Sequence, residues 1–170
     1  MRLAAWGAKG APLATELRPL AEAGLTRVNV SLDTLDRGRF HRITGYDRHS
    51  DVLAGIEAAE EAGFLPVKIN TVLVRGETEA EFFDFVELAR TRRWDVRFIE
   101  YMPFAGNGWS REKVLSSGEL RDLLAARVDL APAEEPAHGG PARTFRAPGW
   151  EGTVSFISPT VICNVVSLPS

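Results

Sequence analysis

The 170-residue sequence is long enough for one domain with an ordinary core, but it is too short for a complete eight-unit α/β barrel, which needs about 250 residues. Its net charge of −3 leaves no basic stripe for nucleic acid, and its single cysteine, Cys163, excludes a disulfide framework, a cysteine-based zinc site or a cysteine-ligated iron–sulfur cluster formed within this chain. No apolar run approaches the roughly 18 residues of a membrane span and residues 1–10 lack a signal-peptide layout, so we expect a cytoplasmic protein with no membrane partner.

Apolar residues at helical or alternating spacing predict helices and strands that alternate through the first 103 residues. The predicted elements, in chain order, are a helix from Leu13 to Gly24, a strand over 26–33, a short helix over 36–43, a helix from about Ser50 to Gly63, a strand over 66–74, a helix that follows a capping box at Thr78 and Glu81, and a strand over 95–101. Strands that alternate with helices at this rhythm favour βα units and a parallel sheet.

The pattern changes after Met102. Residues 103–109 predict a loop and residues 116–128 a helix, whereas the proline-rich stretch 131–149 predicts a linker or an irregular crossing. Phe145 and residues 153–157 have the composition of strands, and we interpret them as part of a small terminal subdomain.

The predicted strands carry polar residues on one of their two faces. A parallel strand that is covered on both faces is almost continuously apolar. Here Asn29 and Ser31 share a face of one strand, Lys68 and Asn70 share a face of the next, and Arg97 stands opposite the apolar residues of the third. Either this polar face meets solvent, as in an antiparallel sheet, or it forms the inner wall of a barrel that holds a polar ligand.

Lys68 favours the second interpretation. Burying its ammonium without a partner costs several kcal/mol or forces deprotonation. An anionic ligand such as a phosphate would remove this cost, with the hydroxyl of Ser31 and the amides of Asn29 or Asn70 orienting it. A further hypothesis makes Lys68 the Schiff-base amine of an unrelated barrel enzyme.

Two acidic residues follow predicted strands. Asp33 and Glu100 stand near strand ends, where the active sites of barrels gather. Each could instead cap the helix or loop that follows it. The sequence leaves both interpretations open.

Five strings of the sequence together resemble a known family. They are AGLTRVNVSLDTLD (23–36), VKINTV (67–72), VRFIEYMP (96–103), GNGW (106–109) and FISP (156–159). In this order, from about Gly10 to Pro159, they are similar to the GTP 3',8-cyclase family, also called molybdenum cofactor biosynthesis protein A, whose members are radical S-adenosylmethionine (SAM) enzymes. The resemblance implies an incomplete parallel (βα) barrel of the radical SAM type over residues 1–103. It also implies a truncated cyclase region, a small α+β extension, over residues 104–170.

Members of that family use SAM and two [4Fe–4S] clusters, each held by three cysteines, to rearrange GTP in the first step of molybdenum cofactor biosynthesis. Carried over residue by residue, the resemblance implies that Ser31 and Met102 contact SAM and that Lys68 contacts GTP. The strand pattern adds Asn29, Asn70 and Arg97 to the candidate GTP contacts, because these residues share the polar face with Lys68.

The sequence also departs from the family pattern. The N-terminal Cys-x3-Cys-x2-Cys segment and the glycine-rich SAM motif are absent, Gly7 replaces a GTP-contacting threonine, and Cys163 only faintly echoes the C-terminal cysteine run, which makes it a weak metal candidate. We therefore expect this chain to hold no cluster and to be inactive alone. The alternative is a nucleotide-binding half barrel that pairs with a separate cluster-bearing chain or with a second copy of itself, since open strand edges favour association.

Overall fold

The computed structural model describes residues 2–6, 13–103, 108–133 and 142–158. Its strands and helices, in chain order, are β1 (Arg2–Trp6), α1 (Leu13–Glu22), β2 (Leu25–Ser31), α2 (Arg37–Thr44), α3 (His49–Glu61), β3 (Val67–Val72), α4 (Phe82–Thr91), β4 (Trp94–Ile99), α5 (Ser117–Ala125), β5 (Ala131–Pro132), β6 (Arg143–Arg146) and β7 (Thr153–Ile157). Short 3₁₀ turns cover Glu79–Glu81 and Arg111–Lys113.

The strands form one sheet in the order β1-β2-β3-β4-β7-β6-β5. β1 to β4 and β7 are parallel, whereas β6 and β5 run antiparallel to their neighbours. Within the described residues the sheet does not close, and β1 and β5 are its edges. The predicted α/β fold, an incomplete parallel barrel, is confirmed.

The apolar core lies between the sheet and helices α3 and α4, which pack on one face of it. Period-two alternation sends every second strand residue to this face, as the sequence pattern predicted. The buried strand residues are Val28, Val30, Val67, Ile69, Val96, Phe98, Val154 and Phe156. The apolar stripe of α4 is buried against them, which leaves the other face of the sheet for polar side chains.

The predicted capping box at the start of α4 is wrong. The hydroxyl of Thr78 accepts the N–H of Val74 at 2.8 Å and makes no cap bond. The carboxylate of Glu81 accepts the hydroxyl of Thr34 at 2.7 Å and pairs with Arg39. Glu81 therefore joins the β2–α2 segment to the start of α4, because a buried carboxylate takes the partners that the tertiary fold brings to it.

The C-terminal strands extend the same sheet. β7 lies parallel to β4, with Asp95 opposite Thr153 and Phe98 opposite Phe156, and β6 pairs antiparallel with β7. The sequence predicted these strands as part of a small terminal subdomain, but it did not predict that β7 pairs with β4. All five residues of β7 are buried, as expected of a strand with a partner on each side.

Candidate functional site

Polar side chains from five strands share the face of the sheet that the helices leave uncovered. One row crosses the sheet from Asn29 through Lys68 and Asp95 to Thr153, and a second row, one pleat further along, crosses from Ser31 through Asn70, Arg97 and Ser155 to Thr144. We call these nine residues the polar wall. Because parallel strands in register place equivalent positions side by side, the two-residue alternation of each strand builds a continuous polar surface.

Five of the six site residues predicted from the sequence lie in the polar wall. Asn29, Lys68, Asn70 and Arg97 are partly buried, and Ser31 is exposed at the end of β2. Met102, the sixth, is not a wall residue; it follows the carboxyl end of β4 in the chain. The geometry thus brings together the predicted GTP contacts.

Asp95 is a wall residue that the sequence reasoning missed. Its carboxylate accepts the Nε–H of Arg97 at 2.8 Å and the hydroxyl of Ser155 at 2.6 Å, and it is the register neighbour of Lys68. Its position two residues before Arg97 in one strand could have assigned it to the same face. Lys68 therefore lies beside a carboxylate, which weakens the argument that its burial requires an anionic ligand.

Two amide oxygens of the wall are buried and have no hydrogen-bond partner among the described residues. They are Oδ1 of Asn29 and Oδ1 of Asn70. A buried acceptor that is left unsatisfied costs about 1–3 kcal/mol. A ligand that presents N–H or O–H groups to this face would satisfy both oxygens.

A larger cavity on this face has a volume of ≈ 830 Å³ and opens at the amino ends of β3, β4 and β7. Its charged lining residues are Lys68, Arg93, Asp95, Arg97, Arg146 and Glu151. The volume lies within the roughly 300–1,000 Å³ of small-molecule sites, and four basic groups against two acidic ones suit an anionic ligand.

The smaller cavity, of ≈ 340 Å³, lies at the carboxyl ends of β3 and β4, where (βα) barrels usually hold their active sites. Met102 and the apolar side chains of Val72 and Ile99 line it together with Asp33. Burial raises the pKa of the Asp33 carboxyl, while the hydrogen bond from the N–H of Val72 lowers it in part. This cavity therefore combines an apolar surface with a carboxylate that accepts hydrogen bonds.

Asp33 and Glu100 both accept hydrogen bonds from backbone N–H groups. Asp33 accepts the N–H of Val72 at 2.9 Å and so joins the ends of β2 and β3. Glu100 accepts the N–H of Ser117, the first residue of α5, at 2.6 Å. These bonds fix the strand ends around the smaller cavity.

No group of three His, Cys, Asp or Glu side chains in the described ranges could hold a metal ion. Cys163 and Gly7 lie outside those ranges. In the described part of the chain, no helix is long and apolar enough to span a membrane.

Two family models match parts of this chain. Residues 8–89 match the model of the radical SAM superfamily, and residues 94–163 match the family Molybdenum Cofactor Synthesis C. The radical SAM match covers the part of the chain that includes α1 to β3 and most of α4 of the incomplete parallel barrel.

The similar curated proteins are more specific. A GTP 3',8-cyclase of Marinobacter nauticus is 43% identical over 153 residues, which is 88% of this chain and 46% of that protein. A GTP 3',8-cyclase of Gloeobacter violaceus is 46% identical over 86% of this chain and 46% of its own length. Molybdenum cofactor biosynthesis protein 1 of Homo sapiens is 41% identical over 88% of this chain and 23% of its own length. The resemblance to the GTP 3',8-cyclases is confirmed, and the chain spans about half the length of these bacterial relatives.

Proposed function

We propose that this chain is part of a cytoplasmic GTP 3',8-cyclase of molybdenum cofactor biosynthesis and that its polar wall binds GTP. The observation that carries the proposal is the wall itself, in which Lys68 and Arg97 face a cavity of nucleotide size. Buried polar residues on one face of a parallel sheet are costly unless they serve a ligand or one another. The similarity to proteins named GTP 3',8-cyclase supports GTP as the ligand.

In this proposal the cations and amides of the wall have different roles. Lys68 and Arg97 pair with phosphate oxygens, since guanidinium and ammonium groups form strong charge-assisted hydrogen bonds with them. Asn29 and Asn70 accept N–H or O–H groups of the base or the ribose through their buried Oδ1 atoms. The phosphates then lie toward the amino ends of the strands, where the basic residues of the larger cavity are found.

SAM fits the carboxyl ends of the strands in this proposal. Ser31 and Met102 are its proposed contacts, and the cavity that Met102 lines offers an apolar surface and the acceptor Asp33. In this superfamily SAM, together with an iron–sulfur cluster, supplies radical chemistry. The described residues include no cysteine, so they do not fit an iron–sulfur cluster.

A second candidate function is a nucleotide-binding half barrel that is completed by a separate cluster-bearing chain or by a second copy of this chain. The supporting observation is the open sheet, in which β1 has one described neighbour, β2. Edge strands present backbone N–H and C=O groups that can pair with another chain. Residues 1–103 as the barrel part and residues 104–170 as the cyclase part remain our proposed division in either case.

The test of the nucleotide site is calorimetric titration of the full chain with GTP. We expect Lys68→Ala to weaken binding about tenfold or more, the loss of one charge-assisted hydrogen bond. Lys113→Ala is the matched control, because Lys113 pairs with Glu77 away from the wall and its loss leaves the affinity unchanged. Equal affinities of the wild type and Lys68→Ala would reject the site.

Two further assays separate the functions. After iron–sulfur reconstitution, we expect the purified chain to release no 5'-deoxyadenosine from SAM; release would show that it is active alone.

Borohydride trapping with carbonyl substrates tests the Schiff-base alternative, and a covalent adduct that Lys68→Ala abolishes would replace the GTP proposal.

A further inference from the structure

Asp95 and Arg97 form an ion pair within the polar wall. The Oδ2 atom of Asp95 accepts the Nε–H of Arg97 at 2.8 Å. The side chains are 6% and 11% exposed, respectively, so the pair is shielded from water. A buried pair of this kind persists only when its remaining hydrogen-bonding groups are also satisfied.

The other oxygen of Asp95 is held by the neighbouring strand. Oδ1 accepts the hydroxyl of Ser155 at 2.6 Å and that of Thr153 at 3.2 Å, both from β7. The hydroxyl of Ser155 in turn lies 2.8 Å from the hydroxyl of Thr144 in β6. Three strands therefore fix the orientation of this carboxylate.

This arrangement constrains how Arg97 meets a ligand. Among the described residues Arg97 binds Asp95 through Nε alone, so this carboxylate does not engage the N–H groups of the two terminal nitrogens. Arg97 also lines the larger cavity. Fixing Nε reduces the rotamer freedom that Arg97 would lose on binding, which strengthens binding by preorganisation.

We propose that Asp95, held by Ser155 and Thr153, is a positioning residue that orients the guanidinium of Arg97 toward the phosphates of GTP. This inference rests on the proposed nucleotide site. It assigns a function to the C-terminal strands, because β6 and β7 supply the hydroxyl groups that hold the carboxylate.

A competing role for Asp95 predicts that its removal changes the affinity for GTP in the opposite direction. Asp95 also neighbours Lys68 in the register, so its carboxylate could serve only to offset the positive charge of the wall. Removing a carboxylate that only offsets charge strengthens anion binding. Removing one that positions Arg97 weakens it.

The conservative variant separates charge from geometry. In Asp95→Asn the amide oxygen can accept the Nε–H of Arg97, and its NH₂ group can donate to the hydroxyl oxygens of Ser155 and Thr153. We expect Asp95→Asn to keep most of the affinity for GTP. Asp95→Ala should lose about tenfold, as when one charge-assisted hydrogen bond is lost.

Titration of the full chain with GTP in a double-mutant cycle tests whether Asp95 acts through Arg97. We expect Asp95→Ala to cause no further loss when Arg97→Ala is already present, because the two share one interaction. Ser155→Ala, which keeps the carboxylate and removes its shortest anchor, should weaken binding in the same direction, and exposed Asp84→Ala should not. Additive losses in the cycle, or tighter binding by Asp95→Ala, would overturn the inference.

A second measurement needs no nucleotide. The Nε–H proton of Arg97, assigned by its absence in Arg97→Lys, should exchange slowly with water in the wild type and rapidly in Asp95→Ala and Ser155→Ala. If the wild type binds no GTP but the proton is protected in this way, the nucleotide site fails while the positioning of Arg97 by Asp95 stands. If exchange is equally fast in all of these proteins, the positioning itself is refuted.

Discussion

Gly152 is the residue at which the structure leaves no room for a side chain. A Cβ atom there would lie closer than van der Waals contact to the carbonyl oxygens of Ala89, Arg92 and Trp94. The N–H of Gly152 also donates to the carbonyl of Ala89 at 2.9 Å. Since all three oxygens belong to the backbone, relief requires β7 to move away from α4 and β4.

We therefore expect Gly152→Ala to lower the free energy of unfolding by about 1–3 kcal/mol or more, the usual cost of overpacking. Urea denaturation measures this difference. Gly118→Ala in the first turn of α5 is the control, because its new methyl group meets only Ser116 Oγ at 4.0 Å. Gly118→Ala should leave stability equal or slightly raised. A Gly152→Ala protein as stable as the wild type would contradict this packing.

Asp33 predicts a pH dependence of stability. Burial raises the pKa of its carboxyl above the ordinary 3.8. The folded state therefore prefers the protonated form, and the stability that Asp33 contributes is present below the ordinary pKa and lost as pH rises through the raised one. At pH 7 the buried charge disfavours folding.

Asp33→Asn keeps an acceptor for the N–H of Val72 and removes this charge. We expect it to raise the free energy of unfolding at pH 7 and to match the wild type near pH 3.8. Urea denaturation across this range measures the effect. Asp47→Asn should have the opposite sign at pH 7, because the hydrogen bond from Arg37 lowers the pKa of Asp47. A destabilised Asp33→Asn at pH 7 would refute the argument.

At the residue scale, the sequence predicts which side chains face one another only where period-two alternation is clear. Asn29, Lys68, Asn70 and Arg97 were assigned to one face in this way. Ser155 was missed because its contact with Asp95 joins residues 60 positions apart, a distance over which alternation within a strand carries no information.

At the level of elements, Glu81 holds the β2–α2 segment against the start of α4. It is 8% exposed, accepts the hydroxyl of Thr34 and pairs with Arg39. Removing one partner of a buried ion pair leaves the charge of the other uncompensated. The cost is about 3–5 kcal/mol when that remaining charge is fully buried. Arg39 is 30% exposed and can partly hydrate, so we expect the lower part of this range.

Glu81→Ala should accordingly lower the free energy of unfolding by about 3 kcal/mol in urea denaturation. Glu87→Ala in α4, the helix that Glu81 precedes, is the matched control. Its partner Arg90 is exposed, and such surface pairs contribute about 1 kcal/mol or less. Similar losses in the two variants would mean that Glu81 does not hold the two elements together.

Element types were more predictable than the bonds that fix their ends. Apolar spacing located α1, α3 and α4 because burial of one helix face is a local property of the sequence. The capping box failed because Glu81 binds Thr34, 47 positions earlier. Local spacing shows that a carboxylate could reach its own helix terminus, but not that a distant loop competes for it.

At the scale of the whole molecule, the parallel sheet could be predicted and its completion could not. The rhythm of strands and helices predicted parallel neighbours for β2, β3 and β4. The position of β7 beside β4 follows from long-range pairing that no local pattern contains. The sheet thereby crosses the proposed functional division at residue 103, and we expect the two parts to unfold together.

Phe156 tests this expectation. Its ring stacks on that of Phe98, with 5.7 Å between the ring centroids, and the centroid of Phe145 lies 5.9 Å away. The ring centroids of Phe98 and Phe82 are 4.8 Å apart. Phe156→Ala should lower the free energy of unfolding by about 3–5 kcal/mol, the usual cost of removing a buried ring. The loss should affect the whole sheet, because this cluster joins β7 to β4 and α4.

Urea denaturation followed by helical circular dichroism and by fluorescence distinguishes one folding unit from two. The fluorescence includes Trp109 and Trp150 of residues 104–170 as well as the buried Trp94 of β4, while the dichroism reports mainly α1 to α4. In Phe156→Ala the unfolding transitions followed by both signals should shift together to lower urea concentrations, since a two-state protein has coincident transitions. Exposed Leu123→Ala should shift neither by more than about 0.5 kcal/mol. If the dichroism transition stays in place while another signal moves, residues 104–170 fold as a separate unit and the shared sheet does not govern stability.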